Sequence, residues 1–279
     1  MAVDIDRPPP LALAGRMVQS FAMRYSIGIG LIVAWQIATA HIHSIFFPTP
    51  VEILKHAIDL WLSGPAEHLF LSDAVFKDVL PSIGRLLTGW SLAVVFGTVL
   101  GVLMGRSRQL FDFADPILQF LRSLPGPALV PIFIILFGTE TEMRIILIAF
   151  GTVWPVLLNT IDGVRAVDPV QIDTARSFRL PTSALIARTI LPAAMPKIVA
   201  GAKISLSLAI ILMVVSEFVA STNGIGYEIL NAQMTLLLTD LWCGILLLAL
   251  LGFCLNALFG FIEERLLYWH RGLHQRADR

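Results

Sequence analysis

Charged residues are scarce in this chain: they make up 14% of its 279 residues, whereas hydrophobic residues make up 56%. Soluble domains carry about a quarter charged residues, so the composition excludes an ordinary soluble domain. It indicates an integral membrane protein, because about 20 apolar residues cross a bilayer core of ~30 Å. The formal net charge is zero, and we expect no nucleic-acid partner.

Motifs that carry chemistry are also missing. The sequence has no GxxxxGKS/T phosphate loop, so this chain is not expected to bind ATP in that way. It has neither HExxH nor GxSxG, which removes the basis for an intramembrane hydrolase. Two histidines, His41 and His43, make a weak metal site. The two cysteines, Cys243 and Cys254, lie about 16 Å apart on one predicted helix, too far for a disulfide. We therefore expect a non-catalytic chain with no metal and no cofactor of its own.

Six apolar spans follow one another and predict an all-α membrane protein. The first is just long enough only if residues 41–47 extend it. The spans cover residues 27–40, 83–104, 116–137, 145–161, 198–220 and 241–262.

Basic residues set the orientation of the six spans, since short cytoplasmic loops are enriched in lysine and arginine. With the N-terminus inside, fourteen such residues fall on the cytoplasmic side and four on the outer side. Both termini are therefore predicted to be cytoplasmic. The start "MAVDIDRPPP" lacks the basic and apolar regions of a signal peptide. We predict a cytoplasmic tail over 1–24, a transmembrane domain over 25–265 and a second cytoplasmic tail over 266–279.

The outer loop over 41–82 is long enough for one or two surface helices. Pro50 directly after Thr49 is a helix start signal, and the apolar residues of "TPVEILKHAIDLWL" recur at helical spacing. This amphipathic helix is expected to lie along the outer membrane surface.

Gly97, Gly101 and Gly105 repeat every four residues in "GTVLGVLMG". Such a stripe lets another helix approach closely, which matters in lipid, where the hydrophobic effect does not drive helix association. We predict a tight helix contact within the bundle or with a second chain; the alternative is incidental glycine.

The third span opens with "LRSLPGPALVP", whose prolines cannot all lie in one regular helix. Broken membrane helices occur where freed carbonyls face protein or a water-filled cavity. Pro125 is thus a candidate for the solute pathway, and a simple kink at the inner interface is the alternative. Arg122, just inside the break, is either a pathway residue or an interfacial anchor.

Polar side chains inside the spans are few. Asn159 lies toward the inner end of the fourth span, and Glu217 toward the outer end of the fifth. Intramembrane carboxylates are costly and indicate function by default, so both residues are pathway candidates. Glu217 is also compatible with a structural role in which it caps the "STNGIG" turn or reaches water.

The stretch 167–197 is amphipathic, although apolar spans flank it. Asp168 followed by Pro169 predicts a helix that runs to about residue 180, where Pro181 stops it. A second short helix is predicted to end at Leu191-Pro192. The first helix has charged positions and an apolar stripe, which consist of Asp173, Arg176 and Arg179, and of Ile172, Ala175, Phe178 and Leu180. It suits docking in the groove of another protein or lying on lipid headgroups, and the residues alone leave both open.

This stretch resembles the EAA coupling motif of ABC-importer permeases, in which Glu-Ala-Ala is followed by three residues, a glycine and a later Leu-Pro. Asp173 stands at the glutamate, Thr174 at an alanine and Arg179 at the glycine. The resemblance implies coupling helices at about 168–192 that contact a cytoplasmic ATPase. The implied contact residues are Asp173, Thr174, Ala175, Arg176, Ser177, Phe178, Arg179 and Leu180.

Four further runs resemble the nitrate/sulfonate/taurine/bicarbonate-type branch of these permeases, and the likeness covers about 48–265. They are "LPSIGRLLTGWSLAVVFGTVLGVLMG", "LRSLPGPALVPIFIILFG", "FGTVWPVLLNTIDGVRAVD" and "EFVASTNGIGYEI". The resemblance implies the type I ABC importer permease fold in the bacterial cytoplasmic (inner) membrane. It also implies a homodimer, two ATPase subunits that carry ATP and Mg, and an extracytoplasmic solute-binding protein.

The sequence thus predicts the membrane subunit of an ATP-driven importer of a small, anionic solute. The rival is a secondary transporter or channel that works without ATP. It would have to use the stretch 167–197 as a helix bound to headgroups, and it would normally need intramembrane ionisable groups. An ATPase that copurifies with the chain would separate the two.

Overall fold

A computed structural model describes residues 10–42 and 44–269, with side chains from Ser26 onward except that of Ala220. Over these residues the chain is helical and has no strand. The helices are α1 (Pro10–Ile42), α2 (Pro50–Trp61), α3 (Leu80–Arg106), α4 (Arg108–Ser123), α5 (Val130–Phe137), α6 (Thr141–Arg165), α7 (Pro169–Ser177), α8 (Thr182–Leu185), α9 (Leu191–Ala220), α10 (Ile225–Met234) and α11 (Leu238–Leu266).

Four continuous helical segments among the described residues are long and apolar enough to cross a membrane. They are Val75–Arg106, Thr141–Arg165, Thr182–Val219 and Leu238–Leu266. A fifth crossing would combine α4 with the segment Gly126–Phe137, and these two meet at a bend of 88°. The apolar part of α1 with described side chains, Ser26–Ile42, is shorter. The all-helical membrane architecture is confirmed; the count of six spans and the cytoplasmic placement of both termini stay predictions.

The helix α1 begins within the region predicted as the N-terminal tail, so residues 10–24 are helical. Residues 1–9 and 270–279, which hold most of the predicted C-terminal tail, lie outside the described residues. The structure does not locate either tail relative to the membrane.

The core of the bundle is α6, which packs against α3 on one side and α9 on the other. Leu86, Ile148 and Met213 come from these three helices and are fully buried in one cluster. The indole of Trp90 donates to the carbonyl oxygen of Ala202 at 3.1 Å and so links α3 to α9 directly. These three helices carry Arg85, Arg144, Asn159 and Glu217.

The predicted outer-loop helix is present as α2. The hydroxyl of Thr49 accepts from the amide of Glu52, and the Glu52 carboxylate accepts from the amide of Thr49, which together form a capping box. Ile53 and Ala57 are buried against Cys243 of α11. The helix is therefore held to the bundle through one face.

The second cytoplasmic helix differs from the prediction. Leu191-Pro192 does not end it: a π-helical turn over Ile186–Ile190 joins α8 directly to α9. Pro192 directly follows this π-helical turn and lies in the first turn of α9. Thr182–Val219 is thus one long helical segment, and α7 is the one separate helix between α6 and α9.

Candidate functional site

The glycine stripe of α3 faces α6. A methyl group added at Gly97 would lie 2.9 Å from the Cβ of Val156, and one at Gly101 would lie 2.5 Å from the Cβ of Thr160. At Gly105 the nearest atom would be the Cβ of Val164 at 2.7 Å. These distances are shorter than side-chain carbons tolerate, so the α3–α6 spacing requires the absence of side chains at the three positions.

The third predicted span breaks at its prolines, where α4 ends at Ser123 and a 3₁₀ turn over Gly126–Leu129 leads into α5. A methyl group on Gly126 would lie 2.8 Å from Leu212 Cδ2, so the turn packs closely on α9. The break borders a cleft of about 280 Å³ that is lined by Arg122, Gly126, Trp154 and Leu208, among others. Arg122 lines this cleft, and Pro125 lies beside it between the lining residues Leu124 and Gly126. Both are exposed.

Asn159 is half-buried on α6, and its amide donates to the carbonyl oxygen of Pro155 at 2.8 Å. Its Cβ lies 2.9 Å from the position that a methyl group on Gly201 of α9 would take. Asn159 therefore lies at the α6–α9 contact, one turn from Pro155, which lines the cleft.

Glu217 is fully buried and forms an ion pair with Arg85 of α3, with Nη1 2.8 Å from Oε1. The hydroxyl of Ser82 donates to the same carboxylate oxygen at 2.7 Å. The other oxygen accepts from the amide of Gly226 at 2.9 Å. Glu217 thus caps the turn that follows α9, as the structural alternative held, but it does so from a buried position.

The same cluster binds the turn at further points. The second guanidinium nitrogen of Arg85 donates to the side-chain oxygen of Asn223 at 2.5 Å. The carboxylate of Asp78, itself buried, accepts from the amide of Gly224 at 2.9 Å. Gly224 has a φ of 118°, a backbone conformation that residues with a side chain rarely adopt. We call Asp78, Ser82, Arg85, Glu217 and Asn223 the Arg85 cluster.

A second buried arginine adjoins the Arg85 cluster. Arg144 of α6 is 4% exposed, interacts electrostatically with Arg85 and Glu217, and donates to the carbonyl oxygen of Thr139 at 2.9 Å. Two buried carboxylates, Asp78 and Glu217, therefore balance two buried guanidinium groups. Sequence reasoning missed Asp78, Arg85 and Arg144 because it assigned the arginines to the outer side.

The pathway candidates do not converge on one site. Sixteen residues of α9 separate Gly201, which contacts Asn159, from Glu217. At 1.5 Å per residue that is about 24 Å. Arg122, Pro125 and Asn159 lie around the cleft and the α6–α9 contact, whereas the polar contacts of Glu217 are with the Arg85 cluster and Gly226, five residues along α9 from the Leu212 that packs on Gly126.

A cavity of about 370 Å³ lies beside the Arg85 cluster and is lined by Asp73, Asp78, Glu228 and Asp240, among others. Burial raises the pKa of Glu228, and the nearby charge of Asp78 raises it further. His56 of α2 bonds to Asp240 of α11 at the cavity edge. Over the described residues, no group of three or more acidic, histidine or cysteine side chains is arranged to hold a metal ion.

The helix α7 begins as predicted, with the Asp168 side chain accepting from the amide of Val170 at 2.8 Å. Its predicted apolar stripe is divided. Ala175 is buried, and Ile172 and Leu180 pack with it against residues of α6 and α9, because the bundle supplies apolar partners for them. Phe178 alone of the stripe is exposed, at 76%.

Arg179 has a φ of 53°, in the left-handed region. Its amide donates to the carbonyl oxygen of Arg176, and the amide of Leu180 donates to that of Ala175. This hydrogen-bond pair is the Schellman motif, which ends helices on a left-handed residue that is usually glycine. The position where the EAA motif has glycine thus requires the conformation that glycine adopts most easily.

Residues 93–268 match the family described as binding-protein-dependent transport system inner membrane component. The chain is 33% identical over 241 residues to the putative aliphatic sulfonates transport permease protein SsuC of Bacillus subtilis, covering 86% of this chain and 84% of that one. It is 29% identical over 246 residues to the taurine transport system permease protein TauC of Escherichia coli, covering 88% of each.

The fold is similar to a solved structure of the MetNI methionine ABC transporter in an inward-facing conformation. The TM-score is 0.61 at 16% sequence identity, and the match covers 70% of this chain and 99% of the other. The likeness shows that about 70% of this chain has a fold used by ABC importer permeases.

Proposed function

We propose the following function for this chain, which belongs to the family of inner-membrane components of binding-protein-dependent transport systems. It is the permease subunit of an ABC importer, and it moves a small anionic solute into the cytoplasm when a separate ATPase binds and hydrolyses ATP. The chain itself is a transport component and not an enzyme. Its partners are a second permease copy, two ATPase subunits and an extracytoplasmic solute-binding protein.

One observation carries the coupling role: α7 is anchored on one side and exposed on the other. Ala175 is buried against the bundle, whereas Phe178 and Val170 are 76% and 68% exposed. A helix held in this way moves with α6 and α9, and its exposed apolar groups suit the groove of a partner. We assign the exposed residues among 173–180 to the contact with the ATPase, with Phe178 as its central apolar contact, whereas Ala175 and Leu180 hold the helix on the bundle.

The state change follows from the same attachment. An ATPase that closes on ATP favours the permease conformation that its docked helices fit best, and this is a population shift. ATP and Mg bind to the partner ATPase, and this chain supplies the coupling helix that the ATPase moves.

The solute class is a small sulfonate, including the zwitterion taurine, or a similarly small anion such as nitrate or bicarbonate. It is supported by the names of the two relatives and by the sequence runs described above. The break between α4 and α5, with Arg122, Pro125 and Asn159 near it, is the segment that we assign to the pathway. Glu217 we assign to the framework of the permease, because its hydrogen bonds go to Ser82 and Arg85 of the Arg85 cluster and to Gly226 of the turn after α9.

The test is copurification of a nucleotide-binding ATPase with the full-length chain, followed by measured uptake. Phe178→Asp is expected to abolish both, because it places a charge at the centre of an apolar contact. Phe46→Asp is the matched control, since Phe46 is 62% exposed and lies in the predicted outer loop. Equal ATPase recovery with Phe178→Asp and with the wild-type chain would remove residues 173–180 from the contact.

A further inference from the structure

A basic cavity of about 380 Å³ lies between α7 and the ends of α3 and α6, on the inner side of the proposed coupling helix. Three arginines line it, one from each helix: Arg106, Arg165 and Arg176. Its volume is in the range of sites that take small molecules, ~300–1,000 Å³. Among the described side chains, Asp173 is the one carboxylate that lines it.

The charge of the cavity is not balanced among the described residues. Asp173 pairs with Arg176 at 3.4 Å, and no carboxylate pairs with Arg106 or Arg165 among the described side chains, those of residues 26–42, 44–219 and 221–269. Each lies in the last turn of its helix, α3 or α6. The partial negative charge at a helix C-terminus attracts a cation but does not neutralise it, so both guanidinium groups stay positive toward another partner.

The guanidinium group of Arg165 is held in place. It lies 3.9 Å from the centroid of the Phe111 ring on α4, a cation–π contact. A fixed guanidinium loses less conformational freedom when it binds an oxyanion, and its planar donors match phosphate geometry.

The position of the cavity indicates what the anion belongs to. The apolar segments Val75–Arg106 and Thr141–Arg165 both end at its arginines. The cavity therefore lies at the level where hydrocarbon gives way to headgroups. Phe96, Val99 and Leu103 are each at least half exposed and lie on the same helical stripe of α3 as Arg106. This stripe offers an apolar surface to an acyl chain directly beside the cavity.

We propose that the basic cavity binds the phosphate of an anionic phospholipid headgroup, with Arg106 and Arg165 as its cationic groups. Val164, Val167 and Ile190 line the cavity with them and supply apolar contact for the glycerol end of the headgroup. Basic pockets between membrane helices on the cytoplasmic side are suited to such headgroups. The site lies between α7 and the bundle, so a bound lipid would contact the inner side of the proposed coupling helix.

The experiment uses the full-length chain with the subunits that copurify with it. Native mass spectrometry compares retention of dioleoylphosphatidylglycerol with that of dioleoylphosphatidylcholine added in equal amounts. The wild-type chain is expected to retain phosphatidylglycerol preferentially. The double variant Arg106→Gln with Arg165→Gln is expected to lose this preference, with binding weakened roughly 10- to 30-fold.

Arg108→Gln is the matched control, because Arg108 is two residues from Arg106, is 92% exposed and pairs with Asp112 outside the cavity. The double variant Arg106→Lys with Arg165→Lys keeps both charges and should restore most of the preference. Thermal unfolding in phosphatidylcholine nanodiscs checks that all variants fold.

Three results would overturn the proposal. The first is equal retention of the two lipids by the wild-type chain. The second is a preference that Arg108→Gln reduces as much as the double variant does. The third is that inorganic phosphate, without lipid, stabilises the protein as much as phosphatidylglycerol at the same concentration and through the same arginines, which would assign the cavity to a free anion. None of the three depends on the solute or on ATPase coupling, so a failure here leaves the proposed function intact.

Discussion

Neutralising Glu217 is expected to destabilise the bundle more than any exposed substitution. The carboxylate is fully buried and accepts from Arg85, Ser82 and Gly226. Glu217→Gln leaves the Arg85 guanidinium buried without its counter-charge and turns an amide donor toward the Gly226 N–H or toward Arg85. Loss of one partner from a buried ion pair costs about 3–5 kcal/mol.

The expected shift follows from that magnitude. For a chain of this size, 1 kcal/mol corresponds to a Tm change of roughly 2–4 °C, so Glu217→Gln should lower Tm by roughly 10 °C. Tryptophan fluorescence of the detergent-solubilised chain during heating measures it. The control is Glu142→Gln, since Glu142 is exposed at the start of α6, and it should change stability by no more than about 0.5 kcal/mol.

A double-mutant cycle shows whether the ion pair itself causes the loss. Arg85→Gln combined with Glu217→Gln should be less destabilising than the sum of the single variants by about 1–3 kcal/mol, because no buried charge is left without its partner. A Tm for Glu217→Gln within about 2 °C of the wild-type value, or strict additivity in the cycle, would refute the reasoning.

Three further outcomes are expected. Gly101→Ala should lower stability by about 1–3 kcal/mol, because its methyl group would lie 2.5 Å from the Thr160 Cβ. Gly84→Ala in the same helix meets open space and should not lower it. Thermal unfolding of both variants distinguishes them. Arg179→Gly should stabilise the end of α7 by about 1 kcal/mol, seen as slower hydrogen exchange over 173–180, and unchanged exchange would contradict the strain at φ 53°. The folded-state pKa of Glu228 is raised above its unfolded-state value of 4.5. The folded state therefore holds this proton more tightly, and native stability falls as pH rises from about 4.5 through the folded-state pKa. Glu228→Gln should therefore raise Tm at pH 7 but not at pH 4, and an equal gain at both pH values would contradict this.

The membrane helices could be predicted from the sequence, because apolar runs of about 20 residues have few other structures open to them in lipid. The helix start at Thr49, where the structure has a capping box, and the break at Pro125 could also be predicted from the sequence, since both follow from local chemistry. The end of the second cytoplasmic helix at Pro192 was not, because tertiary packing continues the helix through a π-helical turn.

The Arg85 cluster could not be found by counting charges. The rule that places basic residues near membrane ends treats them as exposed, and so it assigned Arg85 and Arg144 to the outer side. Arg85 is buried because Glu217, which is 132 positions away in the sequence, lies opposite it. Only the packing of α3 on α9 reveals that contact, although an arginine within an apolar span was a signal that a buried carboxylate was needed.

The division of the α7 stripe shows a similar limit. Helical spacing placed Ile172, Ala175, Phe178 and Leu180 together, but it could not say which of them the bundle would cover. The αL residue at Arg179 ends the helix before Leu180, so Leu180 turns inward while Phe178 stays exposed.

Uptake into proteoliposomes tests the central claim most directly. The chain is reconstituted with its copurifying ATPase and with the binding protein of the same system, and accumulation of labelled taurine and of an alkanesulfonate is measured with and without ATP. The account predicts accumulation of at least one such anion that requires ATP, the ATPase and the wild-type residue at Phe178. Transport by the chain alone, at a rate that ATP and Phe178→Asp leave unchanged, would contradict it.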